Sequence, residues 1–77
     1  MAIRVSNLHP DVTREDLWEN FAEFGTVHEV VLTVDPESGL PSGSAIVEMI
    51  SRTEEISAIE VLDGSELRGQ VLKVWPA

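Results

Sequence analysis

The constraint that bears hardest on this chain is the order in which its hydrophobic period changes. Ile3-Arg4-Val5-Ser6-Asn7-Leu8 alternates apolar and polar residues, the pattern of a strand with one buried face. Leu17, Phe21 and Phe24 then recur at helical spacing. Val27 to Val34 is rich in β-branched residues, and Ser44 to Met49 alternates again. Ile56, Ile59 and Leu62 give a second helical stripe, expected to be buried, and Val71 to Trp75 a last strand stopped by Pro76. The order is therefore βαββαβ.

Local signals set the boundaries. Thr13 is a helix N-cap with Asp16 in the first turn, and Val12 and Leu17 are spaced as a hydrophobic staple. The first helix is expected from Arg14 to Phe24, with Gly25 as its stop. Asp35 to Pro41 collects turn-forming residues and reads as a loop. Ser51 and Glu54 have the spacing of a capping box, and Asp63-Gly64 closes the second helix. Right-handed crossovers place the four strands in one antiparallel sheet with both helices on the same face, an α+β, ferredoxin-like βαββαβ sandwich.

Seventy-seven residues allow one domain, 1–77, without internal repeats or linkers. A chain this short buries about 60–65% of its unfolded surface, and 43% apolar residues suffice for that core. No apolar run approaches the ~18 residues of a membrane span. With a first strand expected to begin at Ile3, no targeting segment is expected. With zero cysteines there is no disulfide framework and no thiolate site, so a cytoplasmic protein without cofactors is expected. Fourteen acidic side chains against five basic ones give a net charge of −9, which repels a phosphate polymer at long range.

Residues 42–49, Ser-Gly-Ser-Ala-Ile-Val-Glu-Met, are similar in register to the third-strand signature of RNA recognition motifs, Lys/Arg-Gly-Phe/Tyr-Gly/Ala-Phe-Val-x-Phe/Tyr. Gly43, Ala45 and Val47 match it. Ile3 to Leu8 resembles the family's first-strand signature, aliphatic-aromatic-aliphatic-x-Asn-Leu. Thr13 to Leu17, Phe21 and Phe24-Gly25 follow its first-helix pattern, and Asp63-Gly64 with Leu72-Lys73-Val74 resembles its ending. Ile46-Val47-Glu48-Met49 is similar to the short bacterial members. The departures fall on function. Ser42 stands in place of the cation, and Arg4, Ser44 and Ile46 stand where the family carries its stacking aromatics.

Strand alternation assigns Arg4, Ser6, Glu29, Val31, Thr33, Ser44, Ile46, Glu48, Val71, Lys73 and Trp75 to the open sheet face. The resemblance implies a non-enzymatic module that binds single-stranded RNA weakly there. Arg4, Ser6, Ser44, Ile46, Lys73 and Trp75 would form the face, with Asn7 and His9 at its rim. Arg4 and Lys73 would meet phosphates or stack, Trp75 would stack, and the serines would hydrogen-bond base edges. The alternative is a motif that has lost RNA and serves protein association. It would self-pair as a homodimer through Val31, Ile46, Val71 and Trp75, or hold a basic partner on its acidic helices with Trp18 as anchor. Against that anchor, Trp18 is placed to pack sideways on its own helix. His9 and His28 lie on different segments without clustered carboxylates, so no metal site is expected. No serine has a recognisable base and orienting acid, and no glycine-rich phosphate cradle appears, so no enzyme activity is expected either.

Overall fold

The computed structural model describes residues 2–77. Its elements are β1 (Ile3–Ser6), α1 (Arg14–Ala22), β2 (Val27–Val34), β3 (Pro41–Met49), α2 (Arg52–Leu62), β4 (Glu66–Leu67), β5 (Gln70–Val71) and β6 (Lys73–Pro76). Four strands form an antiparallel sheet in the order β2-β3-β1-β6, and β4 pairs with β5 in a separate hairpin. Alternation along each strand sends Ile3, Val5, Val30, Ala45, Val47 and Val74 into the core, where Leu17 and Phe21 of α1 and Ala58 and Leu62 of α2 meet them. Both helices therefore cover one face of the sheet. The ferredoxin-like α+β architecture is as the sequence implies.

The first helix opens on a reciprocated box. Thr13 Oγ1 accepts from the Asp16 N–H at 3.1 Å, and the Asp16 carboxylate accepts from the Thr13 N–H at 3.0 Å. Val12 and Leu17 are both buried, as a staple requires. The helix ends earlier than expected, at Ala22 with Glu23 as its cap, because the Phe24 N–H turns back to the Phe21 carbonyl at 3.0 Å. Phe24 still packs against the core.

The second helix corrects two expectations. Its buried stripe is Glu55, Ala58 and Leu62 with Ile59 half-buried, whereas Ile56 is exposed. The Glu55 carboxylate accepts from the Met49 N–H at 3.3 Å, which places that edge of the helix inward and turns Ile56 to solvent. Ser51 Oγ accepts from the Glu54 N–H at 3.4 Å, but the Glu54 carboxylate reaches across to the Thr26 N–H at 3.3 Å instead of closing a box.

The strands also differ from the pattern. β3 starts at Pro41 rather than at Ser44, so Pro41, expected in the loop, belongs to the strand. The last strand of the main sheet begins at Lys73, not Val71. Leu72 donates to the Ser65 carbonyl at 2.7 Å and accepts from the Gly64 N–H at 2.9 Å, which draws the chain away from β1. Val71 consequently pairs with Glu66 in the small hairpin and is not part of the four-stranded ladder. Arg68 and Gly69 close that hairpin with φ of 51° and 83°, the two positive values of a type I′ turn.

Candidate nucleic-acid interface

The face opposite the helices is organised as rows. Arg4 lies in register with Ile46 on one side and Trp75 on the other, and Ile46 with Val31. One row therefore reads Val31, Ile46, Arg4, Trp75 across β2, β3, β1 and β6. Two residues along, roughly 7 Å away, Ser6 lies in register with Ser44 and with Lys73. A third row brings Glu29 opposite Glu48.

Side chains 4, 44 and 46 stand on the solvent side, because their neighbours Ile3, Val5, Ala45 and Val47 are all fully buried beneath the helices. Arg4, Lys73, Val31 and Trp75 are exposed, and Ser6, Ser44 and Ile46 are half-buried between strands. The Arg4 guanidinium carbon sits 6.0 Å from the centroid of the Trp75 ring, at the outer limit of a cation–π contact. Arg4 and Lys73 offset Glu29 and Glu48, so the face is close to neutral. Much of the excess acid lies on the helices and their caps, including Glu15, Asp16, Glu19, Glu23, Glu54 and Glu60.

The two rim residues have structural duties. Asn7 adopts φ of 64°, and its side-chain amide donates to the Val71 carbonyl at 2.7 Å. Gln70 returns a bond to the Asn7 carbonyl at 2.9 Å, so Asn7 ties the small hairpin to the end of β1. His9 Nδ1 accepts the Asp11 N–H at 3.0 Å and shapes the turn that leads into α1. Trp18 packs partly against the core, with the Arg14 guanidinium 5.2 Å from its ring centroid. Arg14 Nε in turn donates to the Val30 carbonyl at 3.0 Å. This arrangement is sideways packing on its own helix.

A further group was not assembled from the sequence. Thr33 Oγ1 lies 2.6 Å from Ser42 Oγ and 2.6 Å from Ser44 Oγ, beside the polar row. The cluster exists because the β2–β3 register slips: Leu32 faces Ala45 while Val34 faces Pro41, so four β3 residues span two of β2. Thr33 was legible as an open-face residue, but nothing in the pattern marked the slip.

A family model described as the RNA recognition motif matches residues 3–73. The chain belongs to the RNA recognition motif family. RbpA of Nostoc sp. (strain PCC 7120), provisionally named an RNA-binding protein, is 51% identical over 74 residues, covering 96% of this chain and 72% of its own. The crystal structure of RNA-binding protein PG1 superposes with a TM-score of 0.95 at 35% identity, covering 100% of this chain and 93% of its own. A structure described as an Sxl-lethal protein/RNA complex superposes with a TM-score of 0.92 at 30% identity, covering 99% of this chain and 46% of its own. In this RNA recognition motif the sheet keeps the family's shape, while positions 4, 44 and 46 carry a guanidinium, a hydroxyl and a butyl group in place of rings.

Proposed function

We propose that this RNA recognition motif is a non-enzymatic module that binds single-stranded RNA weakly across its open sheet face. The names of its relatives and the RNA-bound relative support the ligand class. The observation that carries the reading is the row in which Arg4 stands between Ile46 and Trp75, its guanidinium facing the indole. A base on an aromatic platform gains about 1–3 kcal/mol. One indole with an adjacent guanidinium retains part of what three rings would supply, since a guanidinium plane also stacks on bases. Lys73 and Arg4 supply the charge for phosphates, and Ser6 and Ser44 supply hydrogen bonds. Titration of labelled single-stranded RNA at low salt tests it. Binding in the micromolar range that weakens on Trp75→Ala supports the reading, and no binding at high micromolar protein refutes it.

Self-association is the second reading, because Val31, Ile46 and Trp75 share one row and are in part exposed. A second copy covering that row would desolvate Arg4 on both sides without offering it a carboxylate in the same row, which costs free energy. RNA, which can stack on the guanidinium, fits better. Light scattering that finds a dimer disrupted by Ile46→Glu would reverse this order.

A further inference from the structure

The hydroxyl cluster of Thr33, Ser42 and Ser44 has one proton arrangement that fills its short contacts together. Thr33 Oγ1 lies 2.9 Å from the Ser44 carbonyl and 2.6 Å from each serine Oγ. A carbonyl only accepts, so the single Thr33 proton goes there. Both serines must then donate to Thr33 Oγ1, whose two lone pairs receive them. In any other arrangement at least one of the three contacts has no proton. The remaining inward partner of Ser42, the Thr33 carbonyl at 3.2 Å, would also draw its proton into the cluster. Ser42 Oγ and Ser44 Oγ, 3.3 Å apart, are thus left presenting lone pairs and no free proton.

An acceptor-only surface discriminates. Phosphate oxygens and base carbonyls bring lone pairs to lone pairs, whereas an exocyclic amino group brings a proton. We propose that Ser42 and Ser44, held by Thr33, form a subsite on the sheet face that takes a hydrogen-bond donor on a base edge and so reads the C4 position of a pyrimidine, favouring an amino group there over a carbonyl. This inference rests on the RNA reading of the face and adds its base preference. Thr33 is a positioning residue: it touches the ligand only through the two serines.

Cytosine and N3-methyluracil provide the cleanest comparison, since C4 carries an amino group in one and a carbonyl in the other, and the methyl group removes the N3–H donor that uracil would also offer. Oligocytidine and N3-methylated oligouridine of equal length are titrated into the full chain by fluorescence anisotropy. One neutral hydrogen bond predicts oligocytidine tighter by roughly 2- to 10-fold. Thr33→Val removes the Oγ1 acceptor and frees the Ser44 proton, while Ser42 keeps the Thr33 carbonyl, so the ratio falls towards one chiefly because binding of the methylated oligouridine improves. Ser44→Ala brings the ratio down by the opposite route, through weaker oligocytidine binding, and keeps the test decisive should Thr33→Val unfold. Equal or tighter binding of the methylated oligouridine by the wild type, or a ratio unmoved by either folded variant, overturns the subsite while leaving the face's RNA binding intact. Failure of both oligonucleotides to bind overturns the function of the face, and the subsite with it.

Discussion

Restoring one ring is the perturbation that asks most of this account. Ile46 lies mid-row, in register with Arg4 on β1 and Val31 on β2, on the side of the sheet away from both helices. Its strand neighbours Ala45 and Val47 are the buried ones, so a larger side chain at 46 extends over the open face and leaves the core unchanged. Phenylalanine there would lie beside the Arg4 guanidinium, two strands from Trp75. Each base stacked on a ring gains about 1–3 kcal/mol, but ordering the ring and displacing the existing aliphatic contact takes back part of that. A net gain of about 1–2 kcal/mol follows, or roughly 5- to 30-fold tighter binding of single-stranded RNA for Ile46→Phe. Anisotropy titration at low salt reads the affinity, and urea unfolding confirms that stability is kept. A folded variant whose affinity is unchanged would refute the claim that missing rings limit binding at this face.

Other outcomes follow from the same geometry. With Arg4 and Lys73 as the cations of the face, log K should fall with log salt at a slope of about −1.4, as two phosphate contacts to a single strand require; a slope several times steeper would place binding elsewhere. The Thr13 backbone N–H, with smaller contributions from the Thr13 hydroxyl and the Arg68 guanidinium, holds the Asp16 carboxyl below its ordinary value. A depressed folded-state pKa stabilises the protein above the unfolded carboxylate value, about pH 4, and that contribution is lost as pH falls through the folded one. Asp16→Asn should therefore flatten the acid limb of a urea-midpoint-versus-pH curve, and an unchanged limb would contradict the assignment. Glu55→Ala removes the acceptor of the buried Met49 N–H and should lower unfolding stability by about 1–3 kcal/mol, whereas a loss within error would mean that this bond is replaced.

The fold was largely legible because each element's period agrees with the tertiary arrangement that buries it. Alternation in Ile3 to Ser6 and in Ser44 to Met49 correctly set Arg4, Ser44 and Ile46 on the solvent side, and that placement underlies the functional reading. The following misses share a cause, since each depends on a partner in another segment of the chain. Glu55 is buried in place of Ile56 because its carboxylate serves a backbone N–H on β3. Val71 leaves the sheet because Leu72 pairs with the segment at Gly64 and Ser65. Asn7, a candidate rim residue, is occupied by the hairpin that this detour creates. Thr33, Ser42 and Ser44 converge only once the register slip between β2 and β3 is known, and a single sequence carries no signal of that slip.

The most direct test of the account is a map of backbone amide shifts on adding single-stranded RNA at low salt. The open-face reading predicts progressive shifts at Arg4, Ser6, Thr33, Ser44, Ile46, Lys73 and Trp75, with the exposed sides of α1 and α2 unmoved. Shifts centred on Glu15, Glu19 and Glu60, or none at saturating RNA, would contradict it.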